Sequence, residues 1–217
     1  MVELVVVVAI IGLMAAIAIP SFARMGLLWR NDLQASAREL YTLLRAAKIY
    51  ATTYNTETAL VFSTYTPEGS IASANLRAAA VMYQHPARTF TDEYGDVKHL
   101  FVPVAGRDEG LLRTLPGNTG LNLNVFPEDR TPGCLEAVRV LFPDTGEQSD
   151  FEAVIFEASG RLRKDGREFY QLHVCYTADA GVDERLVDPA LGENPDNYRT
   201  IDINLYRATG RVEIASD

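Results

Sequence analysis

The chain has 217 residues and a formal net charge of −9 at pH 7. This excess of acidic side chains argues against general binding to polyphosphates, so DNA is not expected as a partner. The length fits one globular domain of about 160 residues beside an extended N-terminal segment.

The first predicted element is an apolar run. Sixteen consecutive apolar residues, Leu4 to Ile19, follow the carboxylate of Glu3 and end before Pro20. The run is marginal for crossing about 30 Å of hydrocarbon, but Met1 and Val2 nearly complete it, and a membrane helix is predicted. Because a carboxylate is costly inside a bilayer, Glu3 is expected at an interface or beside a partner. A cleaved signal peptide, an ordinary single-pass anchor and a buried core helix are the alternatives.

These residues resemble the N-terminal segment of type IV pilins and pseudopilins. The match comprises Glu3 near the start of the chain, the apolar run, and Gly12, Pro20, Ser21 and Phe22. The resemblance implies a single-pass protein of the bacterial inner membrane that later enters a periplasmic or extracellular filament. It assigns Glu3 to subunit register, through pairing with a neighbour's N-terminal amine, since an unpaired buried charge is destabilising. It also makes Gly12 and Pro20 sites of helix kinking or melting.

The same resemblance implies the partners. They are other pilin or pseudopilin subunits in a homo- or heteropolymer, an inner-membrane assembly platform, a prepilin peptidase, and the membrane itself before assembly. No cofactor is implied. The family's basic leader, which ends in Gly at the cleavage point, does not precede Met1, so residues before Met1 are expected to be missing and methylation is not assigned to Met1.

Beyond Pro20 the chain has no proline until Pro67, and apolar residues recur at helical spacing. One helix is therefore predicted over residues 2 to 54, about 80 Å long. The predicted organisation is a transmembrane or filament-core segment over 1–22, an amphipathic continuation of the same helix over 23–56, and a β-rich head over 57–217. The recurring apolar residues are Leu33, Ala37, Leu40, Tyr41, Leu44, Ala47, Ala51 and Tyr54.

From Thr58 the pattern becomes strand-like, with loops rich in Gly, Pro, Asn and Asp between the apolar runs. Two segments fifty residues apart repeat one another: Phe-Glu-Ala-Ser-Gly-Arg-Leu-Arg over 156–163 and Tyr-Arg-Ala-Thr-Gly-Arg-Val-Glu over 206–213. Each predicts a hairpin with a Gly-containing turn. The predicted strands are Thr58 to Phe62, Ala79 to Tyr83, His99 to Val104, Leu121 to Phe126, Ala137 to Phe142, Phe151 to Glu157, Glu168 to Tyr176 and Thr200 to Tyr206.

The expected fold class is α+β. It is a pilin-like fold in which a long N-terminal α-helix, hydrophobic in its first half, packs on a β-rich antiparallel globular head. The order of these elements, with the terminal Gly-Arg-Val-Glu-Ile, resembles H-type pseudopilins and the related minor pilins.

A basic cluster lies in the first of the two repeated turns. Arg161, Arg163, Lys164 and Arg167 follow one another closely on a predicted hairpin, where cations could face an anionic strand. The alternative is a solvated turn whose charges balance the neighbouring Glu157, Asp165 and Glu168.

Two cysteines, Cys134 and Cys175, form an even pair in a chain expected outside the cytoplasm, where disulfides persist. A bridge between them would close a loop of about 40 residues and stabilise the fold by roughly 3 to 4 kcal/mol. Two separate buried thiols are the alternative.

The loop 177–199 carries six carboxylates of the kind that calcium binds. Their spacing follows no EF-hand order, and an acidic solvated loop explains them equally well. No metal ligand is assigned.

An enzyme is not expected. The chain has three scattered histidines, and it lacks the nucleophile-elbow, P-loop, zinc-protease and Cys-x-x-Cys motifs. No catalytic residue is assigned.

The sequence therefore predicts a structural subunit of a type IV pilus or type II secretion pseudopilus that assembles through its hydrophobic N-terminal helix. A minor, tip or priming subunit is favoured by the H-type resemblance. A major pilin that forms the filament itself and a membrane-anchored binding module that never polymerises are the alternatives.

Overall fold

A computed structural model describes residues 32–63, 75–76, 78–92, 94–104, 112–116, 119–122, 133–164, 166–176 and 200–215. Within these ranges the chain forms one helix, α1, over 32–54, and eleven strands. The strands are β1 (Thr58–Ser63), β2 (Asn75–Leu76), β3 (Ala78–Thr91), β4 (Val97–Pro103), β5 (Arg113–Thr114), β6 (Thr119–Asn122), β7 (Glu136–Leu141), β8 (Gln148–Phe156), β9 (Phe169–Tyr176), β10 (Thr200–Tyr206) and β11 (Arg211–Ile214).

The strands form two sheets. The first has the order β1-β8-β7-β4-β3-β5, and because β1 also pairs with β3, five of its strands close into a ring. The second has the order β11-β10-β9-β6-β2. The described pairings are antiparallel except that of β4 with β7, which is parallel through Phe101 and Val140.

Alternation along β1 shows how the ring is filled on both faces. Ala59 and Val61 belong to an apolar cluster made only of residues from the ring strands, whereas Leu60 and Phe62 belong to the cluster that includes α1 and the second sheet. Side chains alternate between the faces of a strand, so β1 is buried on both sides. The ring therefore has a core of its own, and α1 covers a second one.

Helix α1 buries one stripe of its surface against both sheets. Leu40, Leu44, Ala47 and Ala51 have no measurable exposure, and their spacing of three or four residues places them on one face. The helix ends where Asn55 adopts a left-handed conformation with φ of 51°. The Thr56 N–H then donates to the Ala51 carbonyl oxygen at 3.2 Å, which satisfies a carbonyl at the end of the helix.

The expected α+β, pilin-like fold with a long N-terminal helix on an antiparallel head is wrong. The described chain is mostly β, its helix has 23 residues, and one strand pair is parallel. The physical reason lies in the closed ring, which buries its inward apolar residues by pairing strands and needs no helix to cover them. Helix α1 is one covering layer and does not organise the fold.

The expectation of a single-pass inner-membrane protein is also corrected. Among the residues that the structure describes, no helix is both long enough and apolar enough to cross a bilayer. The run Leu4 to Ile19, which gave rise to that expectation, lies outside the described residues.

Candidate functional site

The residues assigned to filament assembly, Glu3, Gly12 and Pro20, lie outside the described residues, as does the acidic loop 177–199. Within the described part of the chain, no group of three or more His, Cys, Asp or Glu side chains could hold a metal ion. The described head has two other notable features, an ion-pair cluster around Arg163 and an aromatic pocket at the end of α1.

Arg163 joins three parts of the head through two ion pairs. Its Nη1 donates to Glu57 Oε2 and its Nη2 to Glu136 Oε2, both at 2.9 Å. Glu57 follows α1, and Glu136 begins β7. Desolvation lowers the pKa of Arg163, but the hydrogen bond and charge of Glu136, together with Glu57, outweigh it and raise the pKa above its usual value. The charge of Arg163 is thus balanced inside the head.

The structure also describes the other members of the predicted basic cluster. Arg161 is exposed, and Lys164 is half-buried. Arg167 is exposed, and its backbone N–H donates to the Tyr170 hydroxyl at 3.2 Å. Because Arg163 faces two carboxylates, the structure does not present all four charges together to an anionic ligand.

The two cysteines are buried thiols in the structure and do not form a disulfide. Cys134 is 1% exposed, and burial raises the pKa of its thiol to about 12. The Cys175 thiol donates to the Gly120 carbonyl oxygen at 3.8 Å. A buried thiol with a raised pKa is unreactive, because the thiolate is the nucleophile and the metal ligand.

The aromatic pocket is a cavity of about 470 Å³ where α1 ends against β1 and β3. Three tyrosines line it, Tyr50 and Tyr54 from the last turns of α1 and Tyr83 from β3. The Tyr50 and Tyr54 rings are stacked, with centroids 5.7 Å apart and planes 15° apart. Tyr54 is 63% exposed, so the stacked pair presents an aromatic surface to solvent.

Hydrogen bonds between the end of α1 and β3 fix the shape of the pocket. The Thr56 hydroxyl donates to the Gln84 carbonyl oxygen at 3.2 Å, and the Gln84 N–H donates to the Glu57 carbonyl oxygen at 2.8 Å. The Gln84 side-chain amide also donates to Glu57 Oε2 at 3.2 Å. Since Glu57 is held by Arg163, the ion-pair cluster supports one side of the aromatic pocket.

One residue of the lining has a buried hydroxyl group. Thr58, the first residue of β1, lines the cavity and has no measurable exposure. Its Oγ1 makes no hydrogen bond among the described residues. A buried polar group without a partner is costly to the stability of the fold.

Sequence reasoning did not identify the aromatic pocket. The helical period predicts Tyr54 on the buried stripe of the helix, and only the i, i+4 spacing of Tyr50 and Tyr54 indicates a stacked pair.

Comparisons of the chain with protein-family models, with curated proteins and with solved structures give no match. A function must therefore be inferred from the sequence and structure of this chain alone.

Proposed function

We propose that the chain is a structural subunit of a type IV pilus or type II secretion pseudopilus, and within that class a minor, tip or priming subunit. The observation that carries the proposal is the N-terminal sequence, in which Glu3 directly precedes the apolar run Leu4 to Ile19, with Gly12 and Pro20 at the matching positions. The activity is polymerisation and display of the head. The proposed partners are other pilin or pseudopilin subunits, an assembly platform and a prepilin peptidase.

The packing of α1 supports this proposal. Leu40 and Leu44 of α1 belong to one core cluster with Phe156 of the first sheet and Leu172 of the second. A pull on α1 would therefore be borne by both sheets together, because their apolar side chains interlock with the same helix face. Such a head suits a subunit whose N-terminal segment is held in a filament.

The test is to shear filaments from the source cells and to measure the abundance of this chain by electron microscopy with quantitative mass spectrometry. A minor subunit is expected at low stoichiometry beside another pilin. Dominance in the filament would identify the nearest rival, a major pilin. Complete absence from filaments, with the protein intact in the cells, would favour a binding module that does not polymerise.

A pair of variants makes the test specific to the N-terminal sequence. Glu3→Ala should remove the chain from the sheared filaments, because the charge proposed to set subunit register is lost. Glu39→Ala is the matched control, since it removes a half-buried carboxylate from α1 and should leave filament recovery unchanged. Equal recovery of both variants would contradict the role proposed for Glu3.

A further inference from the structure

We propose that the aromatic pocket at the end of α1 binds a neutral carbohydrate ring. The inference goes beyond assembly, because it concerns a site on the head and stands whether or not the chain polymerises. It rests on two observations: the tyrosine surfaces, and the polar but uncharged side chains that the described residues contribute to the lining.

The tyrosine rings provide the surface that a sugar needs. One face of a sugar ring carries mainly C–H groups, which pack on the electron-rich face of an aromatic ring. Tyr54 is held in position by its stacking on Tyr50, and a two-angle side chain loses little conformational entropy on binding. The volume of about 470 Å³ falls in the usual range of small-ligand sites and is large enough for a disaccharide.

The described residues of the lining are polar or apolar but uncharged. Besides the tyrosines it contains Asn55, Thr56, Thr58 and Gln84, with Pro86 and Val104. The nearby carboxylate of Glu57 is engaged by Arg163 and by the Gln84 amide. Among these described residues a charged ligand would find no counter-ion to compensate for its lost hydration.

The polar residues of the lining favour a sugar over a proline-rich peptide, the other ligand that aromatic grooves commonly take. Asn55, Tyr50 and Tyr54 carry groups that can both donate and accept, and so does a sugar. Proline residues supply only carbonyl acceptors.

The experiment is saturation-transfer NMR on the full chain with cellobiose, lactose, mannobiose and N,N′-diacetylchitobiose. Decaproline and glucuronic acid serve as the peptide and charged probes. The protein is kept in a detergent without a sugar headgroup, because the apolar run Leu4 to Ile19 favours aggregation and an alkyl glycoside would compete for the pocket. At least one neutral disaccharide should show transfer to its ring C–H protons, and a titration then gives its Kd.

Two variants place the binding in the pocket. Tyr54→Ala should raise the Kd of that disaccharide about tenfold, because the stacking surface is lost. Tyr94→Ala is the matched control: this tyrosine is 87% exposed between β3 and β4, outside the lining, and its loss should leave the Kd unchanged. Both tyrosines are largely exposed, so neither variant should prevent folding.

Thr58→Val is a second control. Valine keeps the shape of threonine and removes a buried hydroxyl that a ligand in the pocket does not touch. The Tm of the unliganded protein should therefore rise by about 2 to 4 °C, while the Kd of the disaccharide stays unchanged.

Three results would overturn the proposal. They are the absence of binding by every neutral disaccharide, binding that Tyr54→Ala leaves unchanged, and binding of decaproline or glucuronic acid in preference to the sugars. The abundance of the chain in sheared filaments is measured separately, so failure here is distinct from failure of the assembly proposal.

Discussion

The two repeated turns of the head, 156–163 and 206–213, are closely similar in sequence but differ in their surroundings. In each, the glycine has a positive φ, 78° at Gly160 and 57° at Gly210. The residue before each glycine, Ser159 or Thr209, accepts a hydrogen bond from the backbone N–H two residues later. These shared features arise from the local sequence, because a short hydroxyl side chain and a glycine stabilise the same turn wherever it lies.

The chain that leaves each turn behaves differently. After the second turn, Arg211–Ile214 pairs with β10 as a regular strand. After the first, the return is limited to one bridge between Phe156 and Leu162, and the Leu162 N–H donates to the Arg207 carbonyl oxygen of the second turn at 3.1 Å. The turn is thus specified locally, whereas the length of the returning strand depends on what lies beside it.

This difference shows which part of the head is most constrained. Gly210 lies directly against the backbone of Gly160, while Gly160 lies beneath the Thr52 and Lys48 side chains of α1. The three elements are stacked in the order α1, first turn, second turn. Substitutions in the first turn should therefore lower the free energy of unfolding more than the same substitutions in the second, except where the two backbones meet.

The largest effect is expected for Gly210→Ala. An added Cβ would overlap the Gly160 carbonyl oxygen, a backbone atom that cannot rotate away, and φ is positive as well. We expect a loss of more than about 4 kcal/mol in the free energy of unfolding, or failure to fold, as measured by urea denaturation.

Two further glycine substitutions give reference values for that loss of stability. In Gly160→Ala the Cβ would lie 2.8 Å from Thr52 Cγ2, and we expect a loss of about 2 to 3 kcal/mol. Gly146→Ala has a φ of 73° and open space, so only the cost of the left-handed conformation, about 1 to 2 kcal/mol, should remain. Adding Thr52→Ser to Gly160→Ala should reduce its loss to that of Gly146→Ala. A Gly210→Ala protein as stable as Gly146→Ala would contradict the contact between the turns.

The aromatic residue that opens each turn gives the next largest difference. Phe156 has no measurable exposure and lies in the core shared by α1 and both sheets, so Phe156→Ala should cost about 3 to 5 kcal/mol. Tyr206 is half-buried and contacts mainly Phe169 and Arg211, and Tyr206→Ala should cost about 1 kcal/mol. Thermal and urea unfolding followed by circular dichroism would measure both. Equal losses would mean that the second turn is embedded as deeply as the first.

The last residue of each turn tests the ion-pair cluster. Arg163→Ala leaves the Glu57 and Glu136 carboxylates without their shared cation and should cost about 2 kcal/mol. Glu213→Ala breaks an exposed pair with Arg211 and should change stability by less than about 0.5 kcal/mol. Arg163→Met with Glu136→Gln should recover part of the first loss, because it removes both the cation and one unpaired charge. If Arg163→Ala were as mild as Glu213→Ala, the ion pairs would not hold the head together.

The positions of many strands along the chain were predictable from the sequence. The apolar runs around Thr58, Ala137 and Thr200 coincide with β1, β7 and β10, because alternation and flanking turn residues are local signals. The prediction for β3 was too short. The strand continues past Pro86 to Thr91 because its register shifts between Gln84 and Thr89, which lets the proline leave the ladder.

The ion-pair cluster and the aromatic pocket could not be predicted, because both depend on distant parts of the chain. The solvated-turn alternative lets neighbouring acids, Glu157, Asp165 and Glu168, balance the basic cluster. The carboxylates that Arg163 contacts are instead Glu57 and Glu136, 106 and 27 residues away. The helical period predicts that Tyr54 lies on the buried stripe, because a period identifies one face of the helix. It does not show where the opposing sheet ends, and so it does not show that Tyr54 is exposed. The same limit applies to the closed ring, which no local pattern encodes.

The smallest difference between the two turns should come from the hydroxyls that they share, and it tests how far the turns are alike. Ser159→Ala and Thr209→Ala each remove the hydrogen bond that a backbone N–H donates to the hydroxyl oxygen, at 3.3 and 3.2 Å. Ser159→Ala also removes the exposed bond that the Ser159 hydroxyl donates to Glu157 Oε2 at 3.2 Å. Since all of these hydrogen bonds are exposed, each loss should be about 0.5 kcal/mol and the two should be nearly equal. Unfolding experiments on the two variants and on the double variant measure this, and the two losses should add, since each bond is confined to its own turn. A much larger loss for Ser159→Ala would show that the stacking on α1 affects even the hydrogen bonds within the turn. It would contradict the conclusion that each turn is specified by its own local sequence.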